Sequence, residues 1–324
     1  MKVLIVRTSS LGDLVHMLPA ISDMAKQVPN LKIDWVVESA FAEIPSWHPA
    51  INQVITVSHR KWRKAWWQPS VWAARRAVLQ RIQDAHYDVV IDMQALLKSI
   101  SLVRAVSGVK HGLDWKSARE PLCSFFYDIK HSVAFWQPAV TRQRLLASQV
   151  WGYDILGEPD FGLQHFVQQA QPHLTGAPYA VIMACASRAD KLWPASNWQQ
   201  VFDCLQQHGL AIKLLSGSTA ETAYSQGLIL NRDQATVLPR MGLTEVAEVL
   251  SGASMMIGLD SGLTHLSAAL GRDTIGIYQA STPVRTPLTG SGSTASLGDR
   301  DQPPSAQDVL MTVDSFLKQS SKPS

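Results

Sequence analysis

Short apolar runs alternate with polar turns and helical stretches along the first half of the chain. The first run, at residues 2–6, is apolar at four consecutive positions, which is typical of a parallel strand buried on both faces. A helix is predicted to follow it as far as about residue 26. Further strands are predicted at 33–37, 54–57 and 89–92, with helices at 71–85, 97–106 and 138–151. This alternation predicts a parallel sheet covered by helices.

The second half repeats the same alternation. Strands are predicted at 180–183, 212–215, 255–258 and 274–277, and helices follow each of the first three. A loop rich in Gly, Ser and Pro is expected over 280–305, and a last helix over 306–317. The two halves therefore predict an α/β protein with two parallel sheets.

The length of 324 residues and a hydrophobic fraction of 46% suit two domains with a core each. Residues 156–178 carry Gly, Pro and Gln without a clear period and are interpreted as the linker. We therefore expect a first domain over 1–155, a second over 179–303 and a C-terminal segment over 304–324.

Several classes of protein are disfavoured. No apolar run of about 18 residues occurs, so no membrane-spanning helix is expected, and the first residues lack the features of a signal peptide. Three scattered cysteines give neither a disulfide framework nor a zinc motif, and together these features favour the cytoplasm. Neither Gly-x-Gly-x-x-Gly nor Gly-x-x-x-x-Gly-Lys-Ser/Thr occurs, which weighs against a dinucleotide dehydrogenase and a P-loop NTPase.

The turn after the first strand contains Ser9, Ser10, Gly12 and Asp13. In open α/β sheets this strand-to-helix turn is where ligands bind. One interpretation of Asp13 is a residue that satisfies backbone N–H groups at a helix start. The other is a carboxylate at the mouth of a cleft.

A similar turn, Asp260-Ser261-Gly262-Leu263-Thr264-His265, follows the strand at 255–258. A helix N-terminus favours phosphate, and Ser261, Thr264 and His265 add possible donors. Lys191 lies in the loop after the first strand of the same domain, which makes a nucleotide site plausible. The alternative is an N-capped helix with a buried histidine.

The stretch 58–67 carries four cations and three tryptophans within ten residues. It is either a solvated charge run beside core tryptophans or a site for an anionic, partly apolar partner. No recognised nucleic-acid motif accompanies it, so nucleic acid is not expected as a partner. The net charge of +3 does not distinguish a solvated charge run from a site for an anionic partner.

These segments together resemble the ADP-heptose:lipopolysaccharide heptosyltransferases, glycosyltransferase family 9. The order and spacing of the motifs carry the resemblance, which covers most of the chain to about residue 278. The matching motifs are Thr8-Ser9-Ser10-Leu11-Gly12-Asp13, the stretch 41–47 with Ile44-Pro45-Ser46-Trp47, the stretch 60–66, Lys98-Ser99, the stretch 110–115 with Arg119-Glu120-Pro121, Asp190-Lys191 with Trp193-Pro194, and the stretch 260–265.

The resemblance implies a GT-B fold, in which two Rossmann-like domains with parallel sheets face each other across a cleft. The first domain would bind the acceptor and the second the sugar nucleotide, and the last helix would cross back to the first domain. Asp13 would be the catalytic base. The donor would meet Ser187, Lys191, Glu221, Met241, Asp260, Ser261, Gly262 and His265. The acceptor would meet Ser10, Gly12, Arg60, Lys61, Arg63, Lys64 and Arg119.

The implied reaction is inverting transfer of L-glycero-D-manno-heptose from ADP-heptose to a Kdo residue of Kdo2-lipid A. No cofactor and no metal ligand is implied, and the expected partners are the two substrates and an anionic membrane surface. The expected location is the cytoplasmic face of the inner membrane, as a peripheral protein. The alternatives are a heptosyltransferase with another acceptor, a sugar-nucleotide epimerase, or a non-catalytic protein that binds a lipopolysaccharide precursor.

The sequence departs from the family pattern in three places. Ala184-Cys185-Ala186-Ser187 stands where relatives carry a histidine and two threonines, which removes potential donors and leaves Ser187 alone. Ala95 replaces a glycine, and Gln279-Ala280-Ser281 replaces Gly-Pro-Thr. The residues Asp13, Lys191 and 260–265 are intact.

Overall fold

The computed structural model describes residues 1–170, 176–186 and 188–320. Two compact units divide the chain, Met1–His165 and Phe166–Ser324. The division falls inside the predicted linker, of which residues 171–175 lie outside the described ranges. The domain bounds expected from the sequence stay a prediction.

The first unit contains a six-stranded parallel sheet with the order β3-β2-β1-β4-β5-β6. Its strands are β1 (Lys2–Val6), β2 (Lys32–Glu38), β3 (Ile51–Val57), β4 (Val89–Asp92), β5 (Val109–Leu113) and β6 (Ile129–His131). Its helices are α1 (Leu11–Val15), α2 (Leu18–Gln27), α3 (Glu43–Ser46), α4 (His59–Lys64), α5 (Pro69–Asp84), α6 (Leu97–Ala105) and α7 (Ala139–Trp151), and α8 (Gln164–Gln169) lies at the division.

The second unit contains a parallel sheet with the order β12-β11-β10-β7-β8-β9. Its strands are β7 (Tyr179–Met183), β8 (Ala211–Leu214), β9 (Ala235–Val237), β10 (Met255–Leu259), β11 (Asp273–Ile277) and β12 (Thr294–Leu297). Its helices are α9 (Ala195–Gln207), α10 (Thr219–Leu228), α11 (Leu243–Ser251), α12 (Gly262–Ala269) and α13 (Ala306–Ser320).

Both sheets have the doubly wound Rossmann order, with the first strand of each unit beside its fourth. The apolar run predicted from the sequence forms the central strand β1, whose last four residues are fully buried. The strand order reverses between β1 and β4 and between β7 and β10. In such sheets the carboxyl ends of these strand pairs are the switch points at which ligands bind.

Four short strands differ from the sequence-based expectation. The stretch 110–115, where the sequence predicted no strand, belongs largely to β5, in which His111, Gly112 and Leu113 are buried. A Cβ at Gly112 would lie 2.3 Å from the Tyr127 ring, so the strand needs a residue without a side chain there. Strands β6 and β9 have three residues each, and β12 lies inside the predicted loop over 280–305. Such short, mixed sequences carry little periodic signal.

The helix expected to reach about residue 26 is divided into α1 and α2. Pro19 lies in the first turn of α2, where its missing N–H costs nothing and its fixed φ suits a helix start.

The last helix α13 packs against α9, β11 and β12, and Val309, Val313 and Phe316 join the core of the second unit. Its expected return to the first domain stays a prediction. Across the described residues, every helix is too short or too polar to cross a membrane.

The loop after β4 contains a strained residue. Ala95 has a φ of +50° and is 1% exposed, and its N–H donates to Asp92 Oδ1 at 3.1 Å. Its Cβ disfavours this left-handed conformation by about 1–2 kcal/mol. This is the position at which the resembling family carries glycine.

We therefore expect Ala95→Gly to increase the free energy of unfolding. Relief of strain outweighs the entropy that glycine adds to the unfolded chain, about 0.4–1 kcal/mol, so the net gain is about 0.5–1 kcal/mol. Ala147→Gly, in the interior of α7 and equally buried, is the matched control and should lose about 1 kcal/mol. Urea unfolding measures both, and equal losses in the two variants would contradict the assignment of strain.

Candidate active site

The first half of the candidate site is the turn between β1 and α1. Asp13 lies in the first turn of α1, and its Oδ2 accepts hydrogen bonds from the backbone N and the Oγ of Ser10, each at 2.9 Å. Its Oδ1 lies 2.7 Å from an Nη of Arg7. The Asp13 side chain is 35% exposed, so the carboxylate is fixed in place but accessible. Ser10 is exposed and Gly12 is half-buried beside it.

The ends of β1 and β4 are joined at this turn by buried side chains. Arg7 is buried and donates to the carbonyl of Met93, directly after β4. Gln94 Oε1 accepts from the N and the Oγ1 of Thr8, at 3.0 and 2.8 Å, and its amide donates to Ser9 at 3.1 Å. The switch point is therefore held by side chains from both strands.

Charge at this turn favours an ionised Asp13. Burial alone would raise the pKa of its carboxyl, but the Arg7 guanidinium, the Ser10 N–H and the charge of His16 outweigh that effect and lower it to about 2. Asp13 is consequently an anion near neutral pH and a weak base towards an unreacted hydroxyl.

Asp92, at the end of β4, is hydrogen-bonded to the loop that follows this strand. Its carboxylate is fully buried and accepts from the N–H groups of Gln94 and Ala95 and from the hydroxyls of Ser99 and Tyr127, at 2.8–3.1 Å. Burial raises the pKa of Asp92, although these four donors oppose the shift. Asp92 is inaccessible to a substrate, and its hydrogen bonds hold the loop in position.

The basic helix α4 lies beyond the end of β2. Glu38 accepts hydrogen bonds from the backbone N–H groups of His59 and Arg60, at 3.1 and 3.3 Å, which fixes the start of α4. Trp62 packs against the core of the first unit. The four predicted cations, Arg60, Lys61, Arg63 and Lys64, are all exposed.

An open cavity of about 360 Å³ adjoins α4. Lys98, one of its lining residues, donates to Ser9 Oγ at 2.6 Å and so connects the cavity to the Asp13 turn. Burial lowers the pKa of Lys98. The charges of Arg60 and Arg7 lower it further, whereas those of Glu38 and Asp13 oppose the shift. The other lining residues are His59, Trp62, Arg63, Trp66, Val71, Trp72, Arg75, Leu97 and Ser101.

Arg119 is exposed. Its neighbour Glu120 accepts from the N–H of Leu97 at 2.6 Å, at the start of α6. The structure therefore brings Ser10, Gly12, Asp13 and the α4 cations to the same end of the first sheet as Arg119.

In the second unit, Asp260 follows β10 and contacts residues that were predicted to bind the sugar-nucleotide donor. Its Oδ2 lies 3.2 Å from Lys191 Nζ and accepts from Ser281 Oγ at 2.6 Å. Its Oδ1 lies 3.3 Å from His265 Nε2. Burial would raise the pKa of the Asp260 carboxyl, but His265, Ser281 and Lys191 hold it well below its usual range. An anionic Asp260 therefore positions two potential cations.

The following helix, α12, begins at Gly262 with Ser261 as its N-cap. Ser261 Oγ accepts from the N–H of Thr264 at 3.4 Å, and Thr264 Oγ1 donates to the Leu259 carbonyl at 2.7 Å. Ser261 and Gly262 thus place a helix N-terminus beside Lys191 and His265, an arrangement that favours phosphate.

Gln279 and Ser281 are functional candidates that the sequence suggested only as departures from a pattern. The Gln279 amide donates to the carbonyls of Asp190 and Leu192, at 2.9 and 2.8 Å, and holds the short helical turn that carries Lys191. Ser281 binds Asp260 directly. Both follow β11, which pairs with β10, so their position at the site follows from strand order.

Glu221 and Met241 are placed at the same sheet edge but on other elements. Glu221 accepts from the Gly217 N–H at 2.6 Å in the turn before α10, and Met241 is half-buried just before α11. Ser187 lies outside the described residues. Cys185, in the altered loop, is buried, and its Sγ lies 3.4 Å from Ser225 Oγ on α10.

Both units are Rossmann-like, with a carboxylate at the switch point of the first and Lys191 beside a helix N-terminus at the switch point of the second, and this combination is typical of GT-B glycosyltransferases. The model of glycosyltransferase family 9 (heptosyltransferase) matches residues 75–310. The chain therefore belongs to glycosyltransferase family 9.

Individual relatives show which members of the family this chain is similar to. The chain is 45% identical over 286 residues to lipopolysaccharide heptosyltransferase 1 of Salmonella typhimurium strain LT2, which covers 87% of this chain and 90% of that protein. The structure of E. coli heptosyltransferase WaaC with ADP matches at a TM-score of 0.91 and 40% identity, over 98% of this chain and 100% of that one. The same enzyme with ADP-2-deoxy-2-fluoro heptose matches at 0.86 and 40% identity, over 99% and 100%.

The charge on Asp13 predicts how stability depends on pH. Folding lowers its pKa to about 2, so its ionised form stabilises the folded state above the unfolded pKa of about 3.9. This contribution is lost as the pH falls towards about 2. Asp13→Asn keeps helix capping but has no charge. We expect wild type to exceed the variant in urea resistance near neutral pH and the difference to shrink between about pH 4 and 2. A difference that is constant with pH would contradict the Arg7–Asp13 assignment.

Proposed function

We propose that this glycosyltransferase moves L-glycero-D-manno-heptose from ADP-heptose to a Kdo residue of Kdo2-lipid A, with inversion at the anomeric carbon. The observation that carries the proposal is the Lys191–Asp260–His265 group beside the helix N-terminus at Ser261. It is a site for a negatively charged diphosphate in a chain of the heptosyltransferase family.

Asp13 is the proposed catalytic base. Its low pKa makes it inefficient at removing a proton from an ordinary hydroxyl, so proton transfer occurs late, when the acceptor hydroxyl has begun to bond to the sugar and become acidic. Arg7 and Ser10 hold the carboxylate in one orientation through both of its oxygens. The proton passes from the acceptor oxygen to Asp13 as the bond from the sugar to ADP breaks.

Lys191 and the N-terminus of α12 are proposed to stabilise the departing ADP. Negative charge grows on the diphosphate as the glycosidic bond breaks, and donors fixed in advance stabilise that charge without reorganising. Asp260 fixes Lys191 at two points, since the ammonium group also lies 3.2 Å from the Asp260 carbonyl oxygen. We propose that His265, Glu221, Met241 and Ser187 complete the donor site.

The acceptor site is proposed to use α4 and the cavity beside it. Kdo carboxylates and lipid A phosphates are anionic, and Arg60, Lys61, Arg63, Lys64 and Arg119 expose complementary charge. The cavity adds tryptophan rings to this charge, which suits an acceptor with both anionic and apolar parts.

We also propose that the protein docks on the cytoplasmic face of the inner membrane, where such an acceptor would be found. Trp66 and Trp67 are 63% and 64% exposed and lie just after the α4 cations. Exposed indoles beside cations suit an anionic lipid surface.

The direct test incubates the purified protein with ADP-heptose, with and without Kdo2-lipid A. We expect ADP release that requires the acceptor, and a product heavier than the acceptor by one heptose residue. An altered heptose without transfer would indicate an epimerase, and binding without turnover a non-catalytic protein. Transfer only to an acceptor that already carries heptose would favour the alternative acceptor.

Lys191→Ala tests the donor site. Loss of a charge-assisted contact should cost about 1.5–3 kcal/mol in transition-state binding, measured as kcat/KM for ADP-heptose. Lys213→Ala, on β8 of the same unit, is the control that removes the same charge from another strand. Equal kcat/KM in the two variants would remove Lys191 from the site.

Changing Arg60, Lys61, Arg63 and Lys64 together to alanine tests the acceptor site. We expect a higher KM for Kdo2-lipid A and unchanged ADP binding, and we expect salt to weaken acceptor use by wild type more than by the variant. The charge-matched control replaces Lys32, Arg81, Arg104 and Lys130, four exposed cations elsewhere on the first unit. Equal effects of the two sets would show that net charge alone is responsible.

A further inference from the structure

A cluster of three possible metal ligands lies on the second unit, at the C-terminal end of α9 and on α13. Cys204 lies on α9, and His208 caps the C-terminal end of that helix and donates its backbone N–H to the Cys204 carbonyl at 3.1 Å, so the two side chains are neighbours. Asp314 on α13 lies opposite them. His208 Nε2 lies 2.9 Å from Asp314 Oδ1, and Cys204 Sγ lies 3.9 Å from the same oxygen.

The three side chains have the chemistry that zinc binds, and their spacing is close to that of a zinc site. Zinc binds thiolate, imidazole and carboxylate groups, commonly in a tetrahedral site. One ligand atom from each residue lies within 4.8 Å of the other two. With bonds of about 2.0–2.3 Å, tetrahedral ligand atoms are about 3.2–3.8 Å apart, so small side-chain rotations would close the site.

We propose that Cys204, His208 and Asp314 bind one Zn²⁺ ion. On binding, the thiol releases its proton to solvent and its sulfur bonds to zinc. His208 transfers its Nε2 proton to Nδ1 through solvent and then supplies the Nε2 lone pair, and Asp314 supplies a carboxylate oxygen, with no change of oxidation state. The side chains of His208 and Asp314 are 41% and 46% exposed, so water can take the fourth position. A thiolate ligand favours zinc over Mg²⁺ or Ca²⁺.

Zinc at this position would join α13 to α9. These helices already pack together, and Phe316, two residues after Asp314, is buried in the core of the second unit. An ion that binds only the folded arrangement stabilises it by mass action. The site would therefore stabilise the packing of α13 on α9, and it is separate from the residues proposed to bind the sugar-nucleotide donor.

Cobalt is the probe, because Co²⁺ occupies zinc sites and a Co²⁺–thiolate bond absorbs in the near ultraviolet. The full-length protein, freed of metal with a chelator, is titrated with Co²⁺ and then with Zn²⁺. We expect this Co²⁺–thiolate charge-transfer band to saturate at one equivalent of Co²⁺ per chain. The band should disappear when Zn²⁺ is added and should be unaffected by Mg²⁺. We also expect Zn²⁺ to raise the thermal unfolding midpoint.

The variants Cys204→Ser, His208→Asn and Asp314→Asn identify the ligands. Cys204→Ser should abolish the band, and the other two should weaken Zn²⁺ binding by more than the roughly ten- to hundredfold loss that is typical when only an outer-shell partner of a ligand is changed. Asp203→Asn, which removes a carboxylate next to Cys204 that pairs with Arg232, is the control and should bind normally. Circular dichroism checks that each variant folds.

Absence of the band from wild type, or its persistence in Cys204→Ser, would overturn the proposal. Equal Zn²⁺ affinity in the control and the ligand variants would do the same. None of these measurements uses heptose transfer, so the outcome is independent of the proposed reaction.

Discussion

The first half of the candidate site depends on Arg7, a buried guanidinium at the end of the central strand. It contacts the Met93 carbonyl after β4 and the Asp13 carboxylate at the start of α1. One side chain thereby fixes the two strands of the switch point and orients the proposed base. The same ion pair lowers the pKa of Asp13, so the carboxylate is fixed in one orientation but is a weak base, and in the proposed reaction it accepts a proton only after the acceptor hydroxyl has become acidic.

The second unit uses the opposite arrangement at the corresponding place. There an anion, Asp260, orients the potential cations Lys191 and His265 beside a helix N-terminus. Each unit therefore fixes the more exposed charge of an ion pair with a less exposed partner of opposite sign: Arg7 is 10% exposed against 35% for Asp13, and Asp260 16% against 23% for Lys191. Fixed charges of this kind suit a reaction in which charge moves from the acceptor oxygen to a diphosphate.

The sequence was sufficient to predict both parallel sheets and the two turns, because β1 and β10 are uninterrupted apolar runs that end in helix-starting residues. Short strands such as β6 and β12 escaped prediction, since three or four mixed residues form strands only through their neighbours. The sequence drew attention to Ser281 and Lys98 only as parts of motifs, and the contacts that they make were not predicted. They come to the site from adjacent strands and loops, and side-chain hydrogen bonds of this kind leave no periodic pattern in the chain.

The central claim is that Asp13 accepts the proton, and the most direct test compares turnover and binding in Asp13→Asn. Asparagine keeps the size and most of the capping ability of aspartate, so folding and ADP-heptose affinity by calorimetry should be retained. Turnover, followed as ADP release in the presence of Kdo2-lipid A, should fall by roughly 10²–10⁴, the usual contribution of a positioned base. A folded variant that binds ADP-heptose normally and turns over within about threefold of wild type would contradict the account, because loss of a base should reduce the rate far more.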